Sequence, residues 1–443
     1  MTSHWVTGEN ASLLTDLYQL SMMEAYRAEG MNEIGSFELF VRRLPDARNY
    51  LIACGLEDVL EYFESVHFSK THIDYLNSLR RFSSDFLDYL AGFRFTGEVW
   101  AMPEGTIAFG NEPVLEVVAP LTEAQLAETF VINQFHTATL AASKASRVVT
   151  AAQGRTVVDY GLRRMQGTDA GIKAARAFHI AGVDATSNVL AGKMYGIPVS
   201  GTMGHSYIQA HETEYDAFRN FVQCAPGTIL LVDTYDTIAG IHQVIRLSQE
   251  LGSRFEIGGI RLDSGDLATL SKEARRLLNE AGLSRVKIFA SSGLDEHTIS
   301  RFNELKAPID GYGVGTQMAV SADAPYLDFV CKLVEYAGRP RTKRSPGKSL
   351  LPGRKQVYRQ IENGVAARDV LARRTETLTG TPLLEAVMIG GRRVKPSPPL
   401  NQIRDYCREQ LRAMPPGLLR LSRETYPVEV SPSLQELAET IAQ

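Results

Sequence analysis

The chain has 443 residues, of which 44% are hydrophobic and 22% charged, and its formal net charge is −4. These values are typical of a globular protein and argue against a general nucleic-acid or membrane-surface binder, but they leave room for a local basic pocket. It has no apolar run of ~18 residues, no signal-peptide pattern in the opening MTSHWVTGEN, and no zinc or disulfide pattern among its four scattered cysteines. We therefore expect a cytoplasmic protein with reduced thiols.

Up to Pro120, helix and strand signals alternate without a regular period. The sequence predicts a helix from Leu13 to Glu29, a strand in FELFVRRLP, a helix in GLEDVLEYFESV and several short strands just before Pro120. Thr122, with Gln125 three residues later, has the spacing of a capping box. It predicts the start of a long, alanine-rich helix that ends near Ala152.

After this helix the pattern becomes regular. Short apolar strands are expected mostly at intervals of roughly 26–31 residues, opening near Thr156, Val183, Ile197, Thr228, Ile257, Val286 and Tyr312. Strands that alternate with helices at this spacing indicate parallel βα units. About seven of them in series predict a β/α barrel, and the short interval between Val183 and Ile197 predicts that it is irregular.

The tail returns to strand signals. LDFVCKLVEYAGRPRTKRSPGKSLLPGRKQVYR indicates strands joined by a basic loop, residues 339–348, which we interpret as a solvated hairpin. KPSPPL is a proline-rich connection, and a terminal helix follows SPSLQEL. We therefore predict an N-terminal α/β domain (1–120), an irregular β/α barrel (121–330) and a segment that returns to the first domain (331–443).

Active sites of β/α barrels are built by the loops that follow the strands. Polar residues and glycines follow the predicted strands at Asp159, Tyr160, Gly161, Arg163, Thr186, Ser187, Asn188, Gly201, Thr202, His205, Asp233, Thr234, Arg261, Asp263, Ser264, Gly265, Asp266, Ser291, Gly293, Asp295, Gly313, Gly315 and Thr316. Taken singly, an aspartate at such a place is usually a helix cap. Together, the set indicates a substrate site.

The residue types point to a phosphorylated, anionic substrate. Gly293 and the glycine-rich stretch Gly313–Thr316 follow the last two strands, where such barrels bind phosphate through backbone N–H groups. Asp263 and Asp266 suit a Mg²⁺ ion shared with a polyphosphate. Arg163 and Arg261 offer planar guanidinium groups to a carboxylate or phosphate.

His205 follows a run of small residues, from Ser200 to Gly204. A histidine packed in a core rarely needs so much open backbone before it, whereas one that contacts a phosphate or a substrate does. We therefore prefer a functional role for His205 to a structural one.

Eight stretches resemble the nicotinate phosphoribosyltransferase family, in this order along the chain: LLTDLYQLSMMEAY, DYGLRRMQGTDAG, DATSNVLAGKMYGIPVSGTMGHSY, VDTYDT, RLDSGDL, SSGLDE, YGVGTQM and PGRKQVYR. They extend from about Leu13 to Arg359, and the chain after Arg359 is only weakly diagnostic. Asp159 and Tyr160 stand where the family frequently has glutamate and phenylalanine. Both changes keep the charge or the ring.

The resemblance implies a type II phosphoribosyltransferase fold, with an α/β domain made from both chain ends and an irregular β/α barrel. It implies a homodimer with active sites at the interface. The implied reaction joins nicotinate to 5-phosphoribosyl 1-pyrophosphate, giving nicotinate mononucleotide and pyrophosphate in NAD biosynthesis. Mg²⁺ is the implied metal and ATP the cosubstrate, hydrolysed through a phosphohistidine whose position His205 fits.

The resemblance also assigns roles to residues. Asp263 is the carboxylate beside the sugar, Tyr160 and Arg261 enclose the pyridine ring, and Tyr18 stacks on it from the partner subunit. The implied nicotinate contacts are Tyr18, Tyr160, Arg163, Thr186, Ser187, Asn188 and Arg261. The implied phosphate contacts are Gly293, Gly313, Gly315 and Thr316, and the implied metal ligands are Asp263 and Asp266. The alternative for Tyr18 is a packed position on an apolar helix face.

Two other functions stay open at this point. A nicotinamide-using relative would place an acidic side chain near DATSN to accept the amide N–H groups, whereas Thr186, Ser187 and Asn188 are neutral and favour the nicotinate anion. A catalytically silent homologue would act as a binding protein. The presence of both His205 and Asp263 argues against it.

Overall fold

The structure is a computed structural model that describes residues 6–343, 345 and 350–442. Most of the second half of the predicted basic loop, residues 344 and 346–348, lies outside the described residues, as do the first five residues of MTSHWVTGEN. The chain forms two compact units. The first contains Met1–Leu140 and Tyr326–Gln443, and the second contains Ala141–Pro325. Within the described residues no helix is long and apolar enough to cross a membrane.

The regular elements are as follows. The helices are α1 (Leu17–Ala28), α2 (Leu56–Ser65), α3 (Lys70–Ser78), α4 (Ser84–Ala91), α5 (Leu121–Ala152), α6 (Thr168–Ile180), α7 (Val189–Tyr195), α8 (His205–Gln209), α9 (Glu214–Cys224), α10 (Thr237–Leu251), α11 (Leu267–Glu280), α12 (Glu296–Glu304), α13 (Thr316–Ala319), α14 (Leu400–Arg412) and α15 (Pro432–Ala442). The strands are β1 (Ile34–Val41), β2 (Leu51–Ile52), β3 (Glu98–Ala101), β4 (Ile107–Ala108), β5 (Pro113–Pro120), β6 (Thr156–Asp159), β7 (Ala185–Thr186), β8 (Ile229–Leu231), β9 (Gly259–Leu262), β10 (Lys287–Ser291), β11 (Gly311–Val314), β12 (Phe329–Tyr336), β13 (Arg339–Pro340), β14 (Lys355–Glu362), β15 (Val365–Arg373), β16 (Thr381–Pro382), β17 (Glu385–Ile389), β18 (Arg392–Arg393) and β19 (Val428–Val430).

The main sheet of the first unit is built from both ends of the chain. Its strand order is β13-β12-β1-β5-β3-β17-β18, and the strands of each neighbouring pair are antiparallel. Strand β1, in which seven of eight residues are buried, lies between β5 and β12. The predicted return of the C-terminal segment to the N-terminal α/β domain is therefore confirmed.

Tertiary contacts shift the predicted helix starts. The helix expected from Leu13 begins at Leu17 instead, because extended Asp16 precedes it and accepts a hydrogen bond from Thr129 Oγ1 at 2.9 Å. The capping box predicted at Thr122 does not form. Helix α5 begins one residue earlier, the Thr122 hydroxyl bonds to Tyr89, and the Gln125 amide donates to Gln19.

The second unit contains a parallel sheet of six strands in the order β7-β6-β11-β10-β9-β8, with helices between successive strands. Six of the seven predicted strands are present within two residues of their expected openings, including β7, which begins at Ala185. The strand expected near Ile197 is wrong, because only Val199 bridges to Thr186. Pro198 has no N–H for a longer ladder. Since all six strands are parallel, the loops after them share one edge of the sheet.

A buried charge cluster joins strands of the first unit. Glu112, fully buried before β5, accepts a hydrogen bond from Phe109 N at 2.7 Å through one carboxylate oxygen, while its other oxygen has no hydrogen-bond partner among the described residues. Asp369 on β15 accepts bonds from Arg359 Nε at 2.9 Å and from the Tyr426 hydroxyl at 3.0 Å. Burial, followed by the negative charge of Asp369, raises the pKa of Glu112 well above its usual range. The rise in pKa favours the neutral form of Glu112 beside the carboxylate of Asp369.

We expect Glu112→Gln to remove a pH dependence of stability. A carboxyl whose pKa is raised by folding contributes stability that is complete below its unfolded pKa and is lost as pH rises through the folded pKa. The slope is up to about 1.4 kcal/mol per pH unit for one proton, whereas a glutamine stays neutral at every pH. Melting temperatures measured from pH 5 to 9 should therefore diverge in favour of the variant. Parallel curves, matching those of the exposed control Glu362→Gln, would contradict a raised pKa for Glu112.

Candidate active site

Asp159, the last residue of β6, joins two of the loops that follow the parallel strands, and it is 2% exposed. One of its carboxylate oxygens accepts a hydrogen bond from Gly161 N and the other accepts one from the Thr186 hydroxyl, each at 2.7 Å. Burial raises the pKa of Asp159, and these two bonds partly offset the rise. Asp159 and Thr186 thus use their side chains to hold the loops after β6 and β7.

The DATSN loop presents one hydroxyl to solvent. Asn188 is buried and caps α7, since its Oδ1 accepts from Ala191 N at 3.1 Å, while its Nδ2 donates to Gly171 O at 3.3 Å. Ser187 is partly exposed, and its hydroxyl has no hydrogen-bond partner among the described residues. Of the three neutral residues predicted to contact nicotinate, Ser187 is therefore the one with a side chain available to a ligand.

Arg261 and Tyr160 come together, as the resemblance implies. The guanidinium carbon of Arg261 lies 5.8 Å from the centre of the Tyr160 ring. Its two terminal nitrogens donate to Thr202 Oγ1 at 2.8 Å and to Met203 O at 2.9 Å, which fixes the direction of the guanidinium group. Arg163 is exposed, in a short 3-10 turn after Tyr160.

The glycines predicted to bind phosphate have different surroundings. A Cβ atom at Gly313 would lie 2.3 Å from the Tyr160 ring, so a glycine is needed there to make room for that ring. At Gly293, φ is +64° and a Cβ would meet nothing within 4 Å. Within the described part of the chain, the backbone N–H groups of Gly293 and Leu294 have no partner. The backbone N–H groups of Gly315 and Thr316 likewise have no partner among the described residues, so both turns offer free donors. Gly315 and Thr316 lie at the start of α13.

His205 and Asp263 form the centre of the site. His205 begins α8, with Nδ1 3.2 Å from Thr234 Oγ1 and Nε2 3.6 Å from Asp263 Oδ2. The imidazole is 40% exposed and the carboxylate 32% exposed. The other oxygen of Asp263 accepts a short hydrogen bond from the Ser291 hydroxyl. His205 is thus a half-exposed group facing a carboxylate, unlike a histidine packed in a core.

Asp233 is among the residues that follow the predicted strands, but the sequence assigned it no role. Its Oδ2 accepts hydrogen bonds from Asp263 N at 2.9 Å and from the Ser264 hydroxyl at 2.6 Å, so it fixes the loop that carries Asp263. VDTYDT contains two aspartates, and Asp236 is the one that caps α10, through Ala239 N at 2.7 Å. Because Asp236 already caps α10, the sequence did contain a signal that Asp233 had another role.

The two predicted metal ligands, Asp263 and Asp266, have different surroundings. Asp266 is exposed and caps α11, with one oxygen 3.3 Å from Thr269 N and the other 2.6 Å from its hydroxyl, and these bonds lower the pKa of Asp266. The described residues contain no group of three or more metal-binding side chains. The carboxylates of Asp263 and Asp266 fit Mg²⁺, because Mg²⁺ is commonly held by one or two carboxylates together with substrate phosphates.

Tyr18 belongs to the first unit, in the first turn of α1. Its ring is 49% exposed. Partial burial, with the negative charges of Glu128 and Asp16, raises the pKa of Tyr18 to about 12, so the hydroxyl is neutral at physiological pH. Leu14 and Leu17 beside it are 40% and 44% exposed. We call these three exposed side chains, which lie within five consecutive residues, the α1 patch.

Known proteins share this architecture and sequence. Models described as nicotinate phosphoribosyltransferase (NAPRTase) N-terminal domain, NAPRTase family and C-terminal domain match residues 13–135, 156–367 and 374–438. Nicotinate phosphoribosyltransferase pncB2 of Mycobacterium tuberculosis is 52% identical over 423 residues, which cover 95% of this chain and 91% of that protein. The Bacillus subtilis nicotinate phosphoribosyltransferase is 42% identical, with 82% and 75% covered.

A solved structure agrees over nearly the whole chain. The human nicotinic acid phosphoribosyltransferase crystal structure has a TM-score of 0.85 and 27% identity, covering 97% of this chain and 100% of that one. The sheet built from both chain ends and the irregular β/α barrel therefore define a phosphoribosyltransferase. The chain belongs to the nicotinate phosphoribosyltransferase family, as its sequence motifs predict.

Proposed function

We propose that this protein condenses nicotinate with 5-phosphoribosyl 1-pyrophosphate to give nicotinate mononucleotide and pyrophosphate, with ATP hydrolysis coupled through phosphorylation of His205. The single observation that carries the proposal is the pair formed by His205 Nε2 and Asp263 Oδ2, 3.6 Å apart and both partly exposed. It places the nitrogen proposed to accept phosphate, His205 Nε2, beside the Asp263 carboxylate, which is proposed to stabilise the sugar cation. Phosphorylation of His205 can therefore affect phosphoribosyl transfer at Asp263, and the reverse.

Asp263 serves the glycosidic step. Cleavage of the ribosyl–pyrophosphate bond builds positive charge on the sugar ring, and a fixed carboxylate stabilises this charge as it develops. Asp233 and Ser291 hold Asp263 in place through the hydrogen bonds described above. When bound, Mg²⁺, held by Asp263 with Asp266 as a second candidate, supplies neutralisation of the pyrophosphate charge. The free amides at Gly293 and Leu294 bind the 5′-phosphate.

The pyridine ring is recognised by Tyr160 and Arg261. The guanidinium group of Arg261, already directed by Thr202, offers a planar cationic face to the ring. The hydroxyl of Ser187 and the exposed guanidinium group of Arg163 are the donors for the carboxylate. Thr186 and Asn188 act by shaping the loop, in keeping with their hydrogen bonds within the chain.

His205 serves the energy coupling. Its Nδ1 is held by the Thr234 hydroxyl, so the ring has a fixed orientation toward Asp263. Attack of the imidazole on the γ-phosphorus of ATP forms an N–P bond and releases ADP. Water later cleaves this bond and releases phosphate.

Product analysis tests the function directly. The purified protein is incubated with 5-phosphoribosyl 1-pyrophosphate and either nicotinate or nicotinamide, each with and without ATP. We expect nicotinate mononucleotide as the main product, formed faster with ATP. Preferential formation of nicotinamide mononucleotide would favour the nicotinamide-using alternative, and no product under any condition would favour a silent binding protein.

We expect Ser187→Asp to reverse the preference for the acid. A carboxylate at this position would face that of nicotinate, and at ~4 Å with an effective dielectric constant near 20 the repulsion is about 4 kcal/mol. The kcat/KM for nicotinate should fall by several hundredfold, less any screening by salt, while nicotinamide use holds or rises. Ser187→Asn, of similar size but neutral, is the matched control. Equal losses in both variants would place the selectivity elsewhere, with Arg163 and Arg261 next to be tested.

A further inference from the structure

A buried cluster of four charged side chains lies in the second unit. Lys144 Nζ is 2.6 Å from Glu296 Oε2 and 2.8 Å from Asp323 Oδ1, and Arg147 Nε donates to Glu296 Oε1 at 2.9 Å. The side chains of Lys144, Arg147 and Glu296 are 2%, 6% and 0% exposed. Two cations and two anions thus compensate each other, three of them buried and Asp323 partly exposed.

The surroundings of Glu296 favour its ionised form. Burial alone would raise the pKa of Glu296, but the ammonium of Lys144 and the guanidinium of Arg147 more than offset this and lower it. Buried ion pairs are costly to desolvate, and apolar side chains of similar volume often stabilise a fold equally well. A role beyond stability is therefore expected for this cluster.

Its members adjoin the two turns proposed to bind phosphate. Glu296 begins α12, immediately after the turn that contains Ser292 and Gly293. Asp323 follows α13, which begins at the end of the other turn, at Thr316. One ammonium group, that of Lys144, contacts both carboxylates and so links the chain segments that follow the two turns.

The turn before Glu296 needs to be held. Ser292 has φ of +80° and Gly293 has φ of +64°, so two successive residues are left-handed. A non-glycine residue in this region is strained, and it persists when the surrounding structure fixes it. At the start of α12, Asp295 caps Thr298 N at 2.7 Å, and Glu296 is fixed by Lys144 and Arg147.

We propose that Lys144 is a positioning residue for the 5′-phosphate of the phosphoribosyl substrate, acting through Glu296 and Asp323 on the two phosphate turns. This inference rests on the proposed function, in which those turns bind the 5′-phosphate. Lys144 itself is buried and does not contact the substrate. Its replacement should therefore weaken binding of 5-phosphoribosyl 1-pyrophosphate selectively.

The test uses Lys144→Met in the full chain. We expect the KM for 5-phosphoribosyl 1-pyrophosphate to rise by about tenfold or more, given that a misplacement of about 1 Å can cost about 10²-fold. The KM for nicotinate and the kcat at saturation should change by less than about twofold, because the sugar carboxylate and the ring contacts are untouched. Asp323→Asn, at a more exposed position, should give a smaller increase and provides a second variant if Lys144→Met does not fold.

Asn303→Ala is the matched structural control. Asn303 lies at the other end of α12, where its Oδ1 accepts from Arg155 at 2.6 Å and its Nδ2 donates to Ala151 O at 2.7 Å. The substitution therefore removes contacts of α12 with the C-terminal end of α5 and with Arg155 just after it, away from the turns. We expect it to lower the melting temperature and leave both KM values unchanged.

Thermal protection by 5-phosphoribosyl 1-pyrophosphate, measured without turnover, separates this inference from the proposed function. Protection of the wild type that is reduced in Lys144→Met supports the positioning role. Equal protection of both, or equal rises in the two KM values, would overturn it and leave the function intact. A wild type that is neither protected nor active would overturn the proposed function itself.

Discussion

His205→Ala is expected to abolish nicotinate-stimulated ATP hydrolysis and to leave a slow, ATP-independent phosphoribosyl transfer. The imidazole would be the phosphate acceptor, whereas the sugar chemistry depends on Asp263 and its supports. Hydrolysis should fall by roughly 10³-fold or more, the scale on which loss of a nucleophile acts. Incubation with γ-labelled ATP should put acid-labile, base-stable phosphate on the wild type only.

His211→Ala is the control for this result. His211 lies six residues later, and its Nδ1 is 2.8 Å from Tyr207 O, so its ring is used within the chain. The label should persist in this variant. Undiminished ATP hydrolysis in His205→Ala, or loss of the label in both variants, would contradict the assignment of the phosphohistidine.

A mixture of Tyr18→Ala and Asp263→Ala, each inactive alone, is expected to regain activity. If Tyr18 serves the site of the partner subunit, a mixed dimer has one site with both defects and one site with neither. Since half of randomly assorted dimers are mixed, about a quarter of wild-type activity should return. The exposure of the α1 patch is what favours this arrangement, because Leu14, Leu17 and Tyr18 are available to a second copy.

The opposite arrangement gives a different result. If Tyr18 serves its own chain, every site in the mixture carries one defect and the mixture stays inactive. No recovery, with subunit exchange verified by a tag, would therefore show that the trans assignment is wrong. Tyr75→Ala, which removes a comparably exposed tyrosine from α3, should be fully active and controls for loss of an aromatic surface residue.

The order of elements was predictable from sequence because buried parallel strands are short apolar runs with turn signals on either side. Long-range contacts account for the errors. Thr129 forms a hydrogen bond with Asp16, and Tyr89 forms one with Thr122. Neither contact can be recognised from the local sequence pattern. The failure at Ile197 was local, since Pro198 interrupts the ladder there.

The sequence located candidate site residues but could not rank them. The structure brings His205 and Asp263, both from the set that follows the strands, within 3.6 Å of each other, and their roles stay predictions. The sequence did not distinguish caps from ligands, and Asn188 and Asp266 are caps in the structure. It also gave no sign of the Lys144 cluster, because the two carboxylates lie more than 150 residues further along the chain.

The sheet shared by both chain ends has a consequence for biosynthesis. Strand β1 ends at Val41, and its edge is closed only when β12 is made, from Phe329 onward. At ~5–20 residues per second, the wait is between about 15 and 60 s. During that time β1 offers an unpaired edge to any other extended chain. A message cut short before Phe329 would leave this edge open permanently, so such fragments should aggregate or be degraded on release from the ribosome.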